Sequence, residues 1–130
     1  MTEEKKLKIL LVDDDRFLLD MYALKFKVNG FEIDIAGNGK EALDKIRSGA
    51  IFDIILLDII MPGVDGMGLL KTIRQENLCS GSTIIMLTNQ SDDVQRAKSL
   101  EVDGYIIKAT TIPSEVVENV KDIYNKKHKK

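Results

Sequence analysis

One cysteine, Cys79, and one histidine, His128, are all this chain has of the two residue types that most often build disulfides and soft-metal sites. A single thiol excludes a disulfide framework and a thiolate zinc site within the chain. Cys79 stands in a loop-like stretch, Leu78-Cys79-Ser80-Gly81-Ser82, and reads as an incidental thiol. His128 falls inside the run Lys126-Lys127-His128-Lys129-Lys130 with no partner in view, so neither a metal ligand nor a base is expected there. Long apolar runs are missing as well. None approaches the ~20 residues that a membrane-spanning helix needs, and the charged residues 1–6 do not resemble a secretory leader. A cytoplasmic protein without a membrane partner is expected. Charge of one sign is also absent: 19 basic residues face 21 acidic ones, a formal net of −2. That balance gives no electrostatic case for nucleic acid as a direct partner.

What is present points to one globular domain. The chain has 130 residues, 44% of them hydrophobic and 31% charged, enough for a single ordinary core and too few for two domains. The expected domain is 1–130, with its core at about 7–125 and frayed tails at 1–6 and 126–130.

Two kinds of segment alternate. Short apolar runs at 7–12, 31–36, 52–57, 83–87 and 104–107 are rich in Ile, Leu and Val. Runs without polar alternation suit strands buried on both faces of a parallel sheet. Phe31-Glu32-Ile33-Asp34-Ile35 does alternate, which predicts an edge strand with one wet face. Between them lie segments of helical period. Phe17, Leu18, Met21, Leu24 and Val28 make one apolar stripe, with Asp14 or Asp15 placed to cap it. Ala42, Leu43 and Ile46 make a second, bounded by Asn38-Gly39 and Ser48-Gly49, and Leu69, Leu70 and Ile73 a third. A weaker fourth covers 91–101, and a fifth begins at Pro113 with Val116, Val117, Val120, Ile123 and Tyr124. Right-handed crossovers then predict an α/β domain, a three-layer sandwich around a five-stranded parallel sheet in the order 2-1-3-4-5.

The polar residues fall at the strand ends. Asp13, Asp14 and Asp15 follow the first strand, Asp58 the third, Thr88 the fourth and Lys108 the fifth. Parallel strands share a carboxyl edge, and ligands bind there at the point where the strand order reverses. Each residue has a plain alternative: a helix cap for the aspartate run, a turn former in Asp58, a loop cap in Thr88, a solvated lysine in Lys108. Capping does not require four strands to agree, so a shared site is the better reading. Clustered carboxylates need a cation, and oxygen-only ligation suits Mg2+. A carboxylate is also a competent nucleophile toward phosphorus, with Lys108 and Thr88 placed to hold transferred oxygens.

These residues together resemble the receiver domain of bacterial two-component response regulators, of the flavodoxin-like, chemotaxis-regulator kind. The marks are Leu11-Val12-Asp13-Asp14-Asp15, then Leu56-Leu57-Asp58-Ile59-Ile60-Met61-Pro62-Gly63-Val64-Asp65-Gly66, then Leu87-Thr88, then Gly104-Tyr105-Ile106-Ile107-Lys108. The resemblance implies that Asp58 is the phosphoacceptor and that Asp13, Asp14, Asp58 and the backbone carbonyl of Ile60 hold Mg2+. It implies that Thr88 moves toward the phosphoryl group, that Lys108 pairs with it, and that Tyr105 turns inward on phosphorylation. The donor would be a phosphohistidine on a sensor histidine kinase or a histidine phosphotransfer protein. The output would be a changed surface for a downstream protein partner, and the domain would be a phosphoacceptor, not an enzyme. Two positions depart from the family pattern: Ala109 replaces the usual proline after the lysine, and Asn89 the usual small residue after the threonine. A trans Lys108–Ala109 peptide is therefore expected. Ile60 and Gln90 are spaced to flank the line of water attack, and the apolar Ile60 favours a long-lived phosphoryl group.

Two other functions compete. A magnesium phosphohydrolase would use Asp13 as nucleophile and Asp15 as general acid, which leaves Asp58 unexplained. A receiver-like interaction module that works without phosphorylation would not need the full set of Asp13, Asp14, Asp58, Thr88 and Lys108.

Overall fold

The computed structural model describes residues 6–59, 66–78, 81–88, 102–108 and 111–128. Among the described residues the elements run in the order β1 (Lys8–Val12), α1 (Arg16–Val28), β2 (Glu32–Ala36), α2 (Gly39–Arg47), β3 (Ile54–Asp58), α3 (Gly66–Gln75), β4 (Thr83–Thr88), β5 (Gly104–Ile107) and α4 (Pro113–His128). The segment 91–101, expected to be helical, lies outside the described residues. All strand pairs are parallel, in the order β2-β1-β3-β4-β5. The half-polar strand is at the edge, as its alternation predicts.

Side-chain alternation splits the core in two. Leu10, Val12, Ile55, Leu57, Ile84 and Met86 point to one face, where Ala42 and Ile46 of α2 and Leu69, Leu70 and Ile73 of α3 cover them. Ile9, Leu11, Ile54, Leu56, Ile85 and Leu87 point to the other, against Leu19, Tyr22 and Phe26 of α1 and Val116, Val117 and Val120 of α4. The apolar residues of the central strands therefore have apolar cover on both sides of the sheet, which is why those runs show no polar alternation. Local chemistry sets the ends. Asp15 caps α1, its Oδ1 accepting Leu18 N–H at 3.2 Å. Asn38 caps α2, and Gly49 leaves that helix at φ +97°, where a side chain would be strained. Gly104 lets β5 approach α4: a Cβ there would sit 2.7 Å from Ile123 Cδ1.

Two expectations need correction. The stripe Phe17, Leu18, Met21, Leu24, Val28 only flanks the buried face of α1: Leu18 and Met21 pack partly against the core, and the other three do not. Leu19, Tyr22 and Phe26 are buried, while Phe17, Leu24 and Val28 are 74%, 64% and 71% exposed. Both sides of α1 are apolar, so period alone could not say which side meets the sheet. The basic run is likewise not a frayed tail through its first three residues. Lys126, Lys127 and His128 form the last turn of α4. Lys127 Nζ donates to Ser82 O at 2.9 Å and contacts Asp103 Oδ2 at 3.1 Å. The His128 ring lies on Tyr124, centroids 4.2 Å apart, with Nε2 3.4 Å from Thr83 Oγ1.

Candidate functional site

Topology gathers the polar strand ends. Asp13 follows β1 directly, Asp58 is the last residue of its neighbour β3, Thr88 the last of β4, and Lys108 follows β5. Asp13, Asp14 and Asp58 each offer a carboxylate oxygen, all within 4.8 Å of one another. Asp13 and Asp58 are buried, Asp14 exposed. Lys108 starts two strands away from Asp58, roughly 10 Å across the sheet at the usual strand spacing. Only a long side chain closes that gap. Its Nζ lies 2.8 Å from Asp13 Oδ2 and 3.4 Å from Asp58 Oδ1, and the side chain is almost fully buried.

The electrostatics are unbalanced. Burial pushes the Asp58 carboxyl up to about 7; Lys108 opposes that rise, and Asp13 and Asp14 add to it. Burial works to lower Lys108, but the adjacent Asp13 and Asp58 carboxylates outweigh it and hold the ammonium above its usual range. Asp13 Oδ1 accepts the Asp15 amide at 2.9 Å. Asp13 Oδ2, although 2.8 Å from Lys108 Nζ, receives no well-aligned hydrogen bond. The contact is charge proximity without a directed bond, and it leaves a buried acceptor short of a partner. Three hard oxygen donors around one orphaned carboxylate atom fit a small divalent cation.

Thr88 is buried in register with Ile107, and Tyr105, in register with Met86, is 40% exposed. Ile60, Met61, Pro62, Gly63, Asp65, Cys79, Asn89, Gln90 and Ala109 lie outside the described residues, as does the Lys108–Ala109 peptide. Tyr22 is a residue the sequence reading passes over. Its phenol is buried from α1 and raised by that burial, opposed by Lys108 and reinforced by Asp13, Asp58 and Asp15, which places it beside the site's charges. The signal that would have found it is the spacing Leu19-Tyr22-Phe26, a second apolar stripe on the same helix.

An α/β domain with acidic residues and one buried lysine on the carboxyl edge of a 2-1-3-4-5 sheet defines a phosphoryl-handling signalling class. Comparison with known proteins narrows that class: the family model of the response regulator receiver domain matches residues 9–121, and the chain belongs to that family. It is 37% identical to the transcriptional regulatory protein ResD of Bacillus subtilis over 123 residues, 93% of this chain and 49% of ResD. It is 35% identical to the DNA-binding response regulator MtrA of Mycolicibacterium paratuberculosis over 88% of this chain and 49% of MtrA. The chain thus spans about half the length of these curated relatives. Among solved structures, chemotaxis protein CheY4 of Vibrio cholerae matches with TM-score 0.82 and 27% identity, covering 92% of this chain and 99% of that one. TrrA of Thermotoga maritima, in complex with Mg2+ and BeF, matches with TM-score 0.78 and 35% identity, covering 92% and 99%. No helix among the described residues is long and apolar enough to cross a membrane.

Proposed function

We propose that this chain is a single receiver domain that accepts a phosphoryl group on Asp58. The donor is a phosphohistidine of a sensor histidine kinase or histidine phosphotransfer protein, and the signal passes to a downstream protein in the cytoplasm. The observation that carries the reading is the buried Asp58 carboxylate sharing one lysine with Asp13 at the switch point of the sheet. An Asp58 carboxylate oxygen forms a bond to phosphorus as the phosphorus–nitrogen bond of the phosphohistidine breaks, and the imidazole leaves with its electron pair. Asp13, Asp14 and Asp58 would hold Mg2+, which supplies positive charge to the oxygens of the transferring group. The related TrrA binds that ion together with BeF, which supports the assignment.

Lys108 has two roles in sequence. Before transfer it balances Asp13 and Asp58. After transfer it is within reach of a phosphoryl oxygen on Asp58 and shifts its pairing toward that new charge. Thr88, on the strand beside β3, offers a hydroxyl to another oxygen, and Tyr105 two positions along β5 from Ile107 changes its exposure as β4 and β5 adjust. The domain itself turns over no substrate. Incubation of the chain with Mg2+ and a small phosphodonor such as acetyl phosphate, read by intact mass, tests the assignment. A stable single phosphoryl adduct is expected, absent in Asp58→Asn. Full labelling of Asp58→Asn overturns the acceptor, and steady release of inorganic phosphate without an adduct would favour a hydrolase.

A further inference from the structure

The buried side of α1 carries one hydroxyl beneath the site. Tyr22 is 4% exposed and belongs to the buried cluster that includes Leu11, Leu56 and Ile106. Each of those three stands two residues before a site residue, Asp13, Asp58 and Lys108 in turn. Side chains two apart share a face of a strand, so the two carboxylates and the lysine continue the face that Tyr22 helps to cover. Seven residues, about two turns, separate Tyr22 from the cap Asp15 at the carboxyl edge. Helical side chains lean back toward the amino end of their helix, so the ring lies in the core and its hydroxyl leans up toward the site. After burial itself, the influences on its ionisation are the site's charges, Lys108 first, then Asp13, Asp58 and Asp15.

Packing alone does not call for that hydroxyl. A phenylalanine would fill the same space, as Phe26 does one turn further on, set edge-on to Phe31 with centroids 5.3 Å apart. A buried hydroxyl costs stability unless it is bonded. The site holds the complementary group. Asp13 Oδ2 is buried and has no directed donor among the described residues, and Lys108 Nζ, 2.8 Å away, offsets its charge without an aligned bond. When Lys108 turns to a phosphoryl group on Asp58, that oxygen loses its countercharge and stays buried, which is costly. We infer that Tyr22 is a positioning residue for phosphoryl transfer: its hydroxyl donates to Asp13 Oδ2 as Lys108 turns to the phosphoryl group, and so releases the lysine. The phenol keeps its own proton throughout, and only hydrogen bonds change at Tyr22. The inference rests on the reading of Asp58 as the acceptor.

Phosphoryl uptake from acetyl phosphate with Mg2+, followed by intact mass in a two-by-two set of variants, tests it. Tyr22→Phe should take up the group about tenfold more slowly than wild type, the loss of one hydrogen bond to a charged group. In Lys108→Met no lysine has to leave Asp13, so adding Tyr22→Phe should slow uptake no further. A hydroxyl that served packing alone would show no such dependence on the lysine. Emission supplies a second readout. The chain has no tryptophan and three tyrosines, so in the Tyr105→Phe, Tyr124→Phe double variant all of the emission belongs to Tyr22. A phenol bonded to a carboxylate emits weakly, and the signal should fall in step with the mass adduct. A wild-type rate in Tyr22→Phe, an equal loss with and without Lys108, or constant emission at full labelling each overturns the inference and leaves Asp58 as the acceptor. A wild type that forms no adduct overturns the acceptor assignment itself, and the inference with it.

Discussion

The two ends of the sheet use the same residue type to opposite effect. At the amino edge, Asp53 Oδ2 accepts the Lys8 amide at 2.9 Å, and Asp103 Oδ2 accepts the Ile84 amide at 2.8 Å and contacts Lys127 Nζ at 3.1 Å. These acids stitch strand starts together. At the carboxyl edge, Asp13, Asp14 and Asp58 crowd around one lysine, and Asp13 Oδ2 lacks a directed partner. The reason lies in the backbone. Strand starts in a parallel sheet leave N–H donors, which a carboxylate satisfies; strand ends leave carbonyl acceptors, which it cannot. An acid at the first edge is structural, and an acid at the second waits for a cation or a phosphoryl group.

That contrast can be broken from either side. The largest expected effect is Asp58→Asn, which should abolish phosphoryl uptake measured by intact mass. Lys108→Met, which keeps the three carboxylates, should slow uptake roughly 10²-fold while Mg2+ still binds, as single-turnover labelling and a metal titration would register. Asp58→Asn should also stabilise the fold in the absence of divalent cations. The native Asp58 carboxyl titrates at about 7, against 3.8 for an ordinary one. Between those values the native state holds a proton that the unfolded chain has released, so stability falls as pH rises through the window. The gap between Asp58→Asn and wild type should be on the order of 3 kcal/mol at pH 8 and should close below pH 4, in urea unfolding at each pH.

At the amino edge the signs reverse. Asp103→Ala strips the Ile84 amide and Lys127 of their acceptor, and should cost about 2 kcal/mol in urea unfolding at neutral pH with phosphoryl uptake intact. Lys127→Met removes the donor to Ser82 O and Asp103 and should cost about 1 kcal/mol by the same measurement. An Asp103→Ala protein as stable as wild type would dissolve the distinction between the two edges.

Strand existence and order were legible because covering a parallel sheet on both faces demands near-continuous Ile, Leu and Val, and only the edge strand can afford Glu32 and Asp34. The site was legible for a related reason: a polar residue placed at the end of such a run has one place to go, the shared carboxyl edge, and Asp13, Asp58, Thr88 and Lys108 all go there. Three things needed the folded chain. Which side of α1 is buried is a contest between two apolar stripes on one helix, settled by how Leu19, Tyr22 and Phe26 fit against the sheet. Lys127 looks like a solvated tail until α4 carries it to Ser82 and Asp103, 45 and 24 residues back along the chain. The raised Asp58 carboxyl depends on burial and on distances to Asp13, Asp14 and Lys108 that no spacing encodes. Residue type and order determine which groups reach an edge; packing alone decides how far each is removed from water and which charge it meets there, because both depend on contacts between segments far apart in the chain.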